Sequence, residues 1–116
     1  MKLISALILL VALTATAALA FEAVSVKDGD YRMLGVSPRG ANVTWAWRVK
    51  LSNDVGEPQD VKLTVQLVDY AGYEVAKVKT NVRLDMWETK EVSGQKKLNR
   101  NLWEKVTSAN YVVEPR

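Results

Sequence analysis

The chain has 116 residues with no cysteine and no histidine, and its 16 basic and 13 acidic residues leave a net charge of +3. Without these two residue types the chain cannot form a nucleophilic cysteine site, a disulfide framework, the common zinc sites or a histidine-based triad. So small a charge does not indicate a nucleic-acid binder, and no phosphate-binding glycine motif occurs. We therefore expect a non-enzymatic protein with no cofactor, no metal and no nucleic-acid partner.

The first twenty residues resemble a secretory signal. A short positive start is followed by an apolar run over 3–11, and 18–20 reads Ala-Leu-Ala, which matches an A-x-A cleavage pattern. The alternative is a retained membrane anchor, because the apolar stretch approaches the ~20 residues that a span needs. The small residues at its end favour cleavage. We expect a signal peptide at 1–20 and one periplasmic or secreted domain at 21–116, with no membrane span after cleavage.

Short alternating segments separated by turn residues follow in chain order. Strands are predicted at 21–27, 43–51, 61–67, 76–84, 89–98 and 109–114. Residues 31–36 are predicted to form either a second short strand or an irregular edge. Asp28-Gly29 is a predicted turn between the first two strands, and residues 52–60 are a predicted loop. A single helical turn is predicted at 101–104, with Asn101 as the N-cap and Glu104 reaching back to it. Leu102, Trp103 and Val106 are expected to pack this turn on the core.

Residues 43–51 carry the clearest strand pattern. One face holds Val43, Trp45, Trp47, Val49 and Leu51. Paired tryptophans can form a ligand platform, but within an unbroken apolar row they indicate a core that packs against a second layer.

Residues 61–84 predict a β-hairpin. Two period-two alternations flank Asp69-Tyr70-Ala71-Gly72, where aspartate suits the start of a turn and glycine its left-handed position. Six or seven short strands with little helix predict an all-β fold, a single immunoglobulin-like antiparallel sandwich.

The segment 65–69 followed by Gly72 resembles the signature of FxLYD-type domains, small immunoglobulin-like sandwiches of exported bacterial and archaeal proteins. Leu67, Asp69 and Gly72 match that pattern, whereas Val65 and Val68 stand where phenylalanine and tyrosine are usual. The resemblance covers about residues 43–114.

Other segments extend the resemblance. Residues 50–53 are similar to the preceding strand, which ends in an asparagine before a loop. Glu88-Thr89 resembles a Gly-Glu-Thr turn in which Trp87 replaces the glycine and Met86 the preceding proline. Segments 103–106 and 111–113 fit the closing loop and strand. Such domains share no catalytic site, so the resemblance implies an extracytoplasmic β-sandwich and lends no functional residues.

Two surface features are candidate binding sites. The first is basic and comprises Arg48, Lys50, Lys62, Lys77, Lys79 and Arg83 on the polar faces of three predicted strands. If these strands share one sheet, they form a patch for an anionic polysaccharide, an envelope polymer or an acidic partner. The alternative is a solvated face with edge-protecting lysines.

The second feature is aromatic. Tyr70 and Tyr73 flank the tip of the predicted hairpin, and Trp87 lies in the turn at its other end. Exposed aromatic residues at the ends of a sandwich bind sugars or proteins. The alternative is that they cover the open ends of the core.

The pattern as a whole favours an exported binding or accessory module that acts by protein–protein recognition. A carbohydrate-binding or anionic-polymer-binding protein is the alternative. A carboxylate-based enzyme has little support, because turn capping explains the aspartates at predicted turns, which are Asp28, Asp30, Asp54, Asp60, Asp69 and Asp85.

Overall fold

The computed structural model describes residues 22–116, so the predicted signal peptide and Phe21 lie outside the described residues. The elements are β1 (Val24–Val36), β2 (Asn42–Asn53), β3 (Gln59–Val68), β4 (Glu74–Leu84), β5 (Thr89–Asn99), α1 (Arg100–Trp103) and β6 (Ser108–Pro115). They form two three-stranded antiparallel sheets, ordered β1-β2-β5 and β4-β3-β6. The all-β sandwich is confirmed, with six strands. No helix in the described range is long and apolar enough to cross a membrane.

The core lies between the central strands β2 and β3. Trp45 is 0% and Trp47 is 4% exposed, and they lie on the predicted apolar face of β2. The facing row of β3 is fully buried and comprises Val61, Leu63, Val65 and Leu67. Because the indole N–H groups of both tryptophans are buried without an acceptor among the described residues, these side chains stabilise the fold through apolar packing rather than through hydrogen bonds. The prediction that this tryptophan pair belongs to the core is confirmed.

The predicted hairpin is also confirmed as β3 and β4. Val61 pairs with Val82 at its open end and Leu67 with Ala76 near its tip. At the tip, Gly72 has a φ of 86°, the left-handed conformation that glycine adopts at little cost.

The predicted turn at Asp28-Gly29 is wrong, because β1 runs through it as one strand. Asp28 pairs with Lys50, and Gly29 pairs with Val49. A Cβ at Gly29 would lie 2.7 Å from Cε2 of Tyr111, so this glycine allows a side chain of β6 to approach the strand rather than making a turn.

Three aspartates assigned to turns therefore lie in strands: Asp28 and Asp30 in β1, and Asp60 in β3. In this arrangement Asp30 lies opposite Arg48 of β2. Cross-strand pairing, rather than turn capping, accounts for its position.

The N-cap of the short helix lies two residues earlier than predicted. Asn99, and not Asn101, is the N-cap, and its side-chain oxygen accepts a hydrogen bond from the Asn101 N–H at 2.8 Å. Glu104 does not reach back to a cap but contacts Arg100 at 3.5 Å. The helix ends at Trp103.

Trp103 closes one end of the core. Its ring centroid lies 6.5 Å from that of Trp45 in a stacked arrangement and 6.0 Å from that of Tyr31 in an edge-on arrangement. Val106 also packs against the core, whereas Leu102 is 38% exposed. The predicted packing of this turn is thus correct for Trp103 and Val106 and wrong for Leu102.

Candidate functional site

The turn between β4 and β5, residues 85–88, holds a large apolar side chain outward. We call it the Trp87 turn. Trp87 is 66% exposed and its neighbour Met86 is 55% exposed. Trp87 has a φ of 59° and is the only non-glycine residue with a positive φ in the described range. A bulky residue in this conformation is an outlier that costs of order 1–3 kcal/mol. The fold therefore keeps an exposed tryptophan where glycine would be less strained.

Hydrogen bonds from the backbone N–H groups of residues 85–88 hold the Trp87 turn in place. The Asp85 N–H donates to Glu88 Oε1 at 2.9 Å, and the Glu88 N–H donates to the Asp85 carbonyl at 3.0 Å. The Trp87 N–H donates to the carbonyl of Val55 in the neighbouring loop at 3.2 Å. The indole lies over Gly56, where a Cβ would be 3.5 Å from its Cζ2 atom. These contacts fix the turn while leaving most of the indole accessible.

Asn53, at the end of β2, anchors the Trp87 turn from below. It is 1% exposed. Its Nδ2 group donates to the carbonyls of Glu57 at 2.8 Å and Asp85 at 2.9 Å, and its Oδ1 accepts from the Val55 N–H at 3.1 Å. Residues 52–60 were predicted to be a loop, and this buried anchor was missed. The asparagine of the FxLYD-type pattern was the signal that could have indicated it.

Tyr70 and Tyr73 lie at the far end of β4 from the Trp87 turn. They are 91% and 74% exposed, and Asp69 orders their turn by accepting hydrogen bonds from the N–H groups of Ala71 and Tyr73, both at 2.9 Å. The 11 residues of β4 separate the two sites by roughly 35 Å. These tyrosines do not cover the core, and they form no joint site with Trp87.

The predicted basic residues do not form one patch, because they lie on different sheets. Arg48 and Lys50 belong to β2 in the first sheet. The others lie in the second sheet: Lys62 on β3, and Lys77, Lys79 and Arg83 on its edge strand β4. The six-residue patch is therefore wrong, and the residues that can act together are those along β4.

Two lysines of β5, missed in the sequence, contact the backbone of β4. Lys90 Nζ donates to the carbonyl of Arg83 at 2.7 Å, and Lys96 Nζ donates to the carbonyl of Lys77 at 3.1 Å. These contacts join the edges of the two sheets. They also occupy carbonyl groups that another strand would need for pairing.

A groove of about 420 Å³ crosses the outer face of the first sheet, over Ala46 and Gly94. Its main cation is already paired, because Arg48 lies 2.7 Å from Asp30 and 3.9 Å from Glu91. The hydrogen bond to Asp30 and the charges of both acids raise the pKa of Arg48 above its ordinary value. Arg48 is therefore already paired within the groove and offers no uncompensated charge to a ligand.

Within residues 22–116 no group of three or more acidic, histidine or cysteine side chains is placed to hold a metal ion. Asp54, the carboxylate with a lowered pKa, accepts hydrogen bonds from the hydroxyls of Ser25 at 2.7 Å and Ser52 at 2.9 Å. These bonds explain the shift through local structure.

No protein-family model matches the chain, and no curated protein sequence matches it. The fold is instead similar to parts of solved glycoside hydrolases of family 2. A β-glucuronidase of that family aligns at a TM-score of 0.55 with 18% identity, over 62% of this chain and 7% of the enzyme. A mutant of Bacteroides uniformis β-glucuronidase 2 altered in calcium binding aligns at a TM-score of 0.53 with 22% identity, over 62% of this chain and 8% of the enzyme.

A family 2 glycosyl hydrolase from Bacteroides cellulosilyticus aligns at a TM-score of 0.58 with 15% identity, over 79% of this chain and 15% of that enzyme. The chain thus spans between 7% and 15% of the length of these three neighbours. At such identities the likeness shows the β-sandwich fold alone.

Proposed function

We propose that the chain is an exported, non-enzymatic binding module that recognises a protein partner through the Trp87 turn. The observation that carries this proposal is the 66% exposure of Trp87 in a left-handed conformation, with a φ of 59°. A strained residue outside the core is better explained by recognition than by packing. Tryptophan and methionine are also enriched at protein interfaces, where tryptophan often dominates the binding energy.

The rigidity of the Trp87 turn supports the same proposal. Its backbone is held by the bonds within 85–88 and by Asn53 below it. A fixed anchor loses little conformational entropy when it binds, so more of the contact energy is kept as affinity. Met86 adds a flexible apolar contact that can adapt to the partner.

Export is the part of the proposal that rests on residues 1–20, which resemble a signal peptide. The resemblance to FxLYD-type domains supports the same compartment. Both remain predictions, and N-terminal sequencing of the protein from a periplasmic or culture fraction tests them. A mature N-terminus near Phe21 is expected, and an intact Met1 would contradict cleavage.

A pull-down from envelope extract tests the proposed site. Wild-type protein is expected to retain a specific protein that Trp87→Gly loses and that Tyr70→Ser, altered at the other end of the sandwich, keeps. Retention of the same protein by all three forms would exclude the Trp87 turn as the recognition site. Acrylamide quenching of tryptophan fluorescence checks its exposure, because the most accessible component should be lost in Trp87→Phe, leaving the half-buried Trp103 and the buried Trp45 and Trp47.

A second candidate function is carbohydrate binding. The solved structures with a similar fold include enzymes named β-glucuronidases, and Tyr70 and Tyr73 present exposed rings at the hairpin tip that can stack on sugars. A panel of neutral and acidic glycans tests this candidate by titration calorimetry. Loss of binding in a Tyr70→Ser, Tyr73→Ser double variant would support it.

A further inference from the structure

The two flanks of the sandwich differ in charge. The edge strands β4 and β5 carry six basic and two acidic residues, whereas β1 and β6 on the other flank carry two basic and three acidic residues. Strands β4 and β5 belong to different sheets, and the contacts of Lys90 and Lys96 with the β4 backbone bring these two lysines alongside the basic residues of β4. One flank is therefore distinctly basic, although the whole chain has a net charge of only +3.

We define the basic flank as Lys77, Lys79, Arg83, Lys90 and Lys96. The Lys96 ammonium group lies against the carbonyl of Lys77 and the Lys90 ammonium group against that of Arg83. Six residues of extended strand separate Lys77 from Arg83, a distance of about 20 Å. The cations therefore form a straight row along the edge rather than a cluster around a pocket.

Carboxylates neutralise only part of this row. The contacts are Glu74 with Lys77 at 3.9 Å, Asp60 with Arg83 at 3.1 Å and Glu88 with Lys90 at 3.7 Å. Among residues 22–116, Lys79 and Lys96 have no carboxylate within 4.0 Å. The uncompensated positive charge therefore lies in the part of the row nearer the hairpin tip with its exposed Tyr70 and Tyr73.

We propose that the basic flank binds an extended acidic polysaccharide with carboxylates or sulfates at regular intervals. The straight row suits a linear chain with repeated anionic groups, and the exposed tyrosines at its end provide rings for sugar stacking. This inference rests on the second candidate function and names its ligand class and surface. It is independent of the Trp87 turn, which lies beyond the other end of β4.

Affinity measurements with defined polymers test the proposal. The probes are alginate as a carboxylated polysaccharide, dextran sulfate as a sulfated one, dextran as a neutral one and a single-stranded oligonucleotide as a different polyanion. The variant Lys77→Gln, Lys79→Gln removes two charges from the basic flank. The matched control Lys27→Gln, Arg32→Gln removes two charges from exposed positions of β1 on the opposite flank.

We expect alginate or dextran sulfate to bind the wild type at low salt, and added salt to weaken binding. The Lys77→Gln, Lys79→Gln variant should bind about tenfold more weakly, while the control stays within about twofold. Whichever acidic polymer binds more tightly identifies the anionic group. An equal loss in both double variants would overturn the proposal, because it would indicate a general effect of net charge.

The remaining outcomes distinguish a failure of this inference from a failure of the second candidate function, carbohydrate binding, on which it rests. If dextran binds as tightly as the acidic polymers, carbohydrate binding stands and the basic flank is rejected. If the oligonucleotide binds more tightly than either acidic polysaccharide, the commitment to a polysaccharide is wrong. If no glycan binds, both the inference and the second candidate function fail.

Discussion

The indole of Trp47 lies directly across Gly94 of the neighbouring edge strand β5. A Cβ on Gly94 would come within 2.7 Å of Cζ2 and 2.9 Å of Cε2 of that ring. Trp47 is 4% exposed, and its ring cannot move aside without disturbing the core. The glycine in this strand is therefore a packing requirement of the tryptophan and not a break in the strand.

Gly94→Ala should destabilise the protein by about 1–3 kcal/mol, because the added methyl group overpacks a filled core. Urea unfolding measures the change. Gly35→Ala is the matched control in an open position, where a Cβ would meet nothing within 4 Å. It should have no effect or stabilise by up to about 1 kcal/mol. Equal destabilisation by both variants would contradict the packing explanation.

Trp45→Ala should cost about 3–5 kcal/mol, because Trp45 is 0% exposed and stacks on Trp103. That is a large share of the ~5–15 kcal/mol that stabilises a domain. Chemical denaturation measures the free energy of unfolding. The control is Tyr70→Ala at an exposed position, whose free energy of unfolding is expected within about 0.5 kcal/mol of the wild type. A small loss of unfolding free energy in Trp45→Ala would mean that the face of β2 assigned to the core is wrong.

Asn53→Ala should destabilise the fold by about 2–4 kcal/mol, because it removes three hydrogen bonds of a residue that is 1% exposed and leaves backbone groups without partners. Hydrogen exchange should speed up at the N–H groups of Val55 and Trp87. Asn81→Ala, at an exposed position of β4, is the control and should change little. Unchanged stability in Asn53→Ala would show that Asn53 does not anchor the turn.

Asp54 should contribute a pH-dependent part of stability. Hydrogen bonds from Ser25 and Ser52 lower its pKa in the folded state relative to the unfolded value near 4. The contribution of the Asp54 carboxylate to the free energy of unfolding is therefore complete above about pH 4. It is lost as the pH falls through the pKa of Asp54 in the folded state. Thermal melts of wild type and Asp54→Asn should differ more at pH 7 than at pH 2.5. A difference in melting temperature between the two proteins that stays constant with pH would refute this linkage.

Local patterns predicted those parts of the fold that local chemistry decides. The alternation from Val43 to Leu51 identified the buried face of β2, and Asp69 with Gly72 identified the hairpin tip. These features need only period-two patterning and turn chemistry. The same reasoning failed at Asp28-Gly29, because the reason for that glycine is Tyr111, about 80 residues further along the chain.

Non-local pairing also explains what was missed at the candidate sites. The sequence cannot show which sheet a strand joins, so Arg48 was grouped with Lys77 although they lie on different sheets. It likewise cannot show that Lys96 reaches the backbone of β4. The aromatic residues were found from composition and turn position, but the left-handed backbone of Trp87 appeared only in the structure.

The unfolding free energy of Trp87→Gly, set beside that of Trp87→Ala, tests the central claim most directly. If Trp87 is a strained, exposed binding anchor, glycine relieves the strain and the variant should be as stable as the wild type or up to about 1 kcal/mol more stable. Alanine keeps the Cβ and should be less stable than glycine by roughly 0.5–1 kcal/mol. A Trp87→Gly variant that loses more than about 1 kcal/mol would contradict the account, because the indole would then belong to the fold rather than to a binding site.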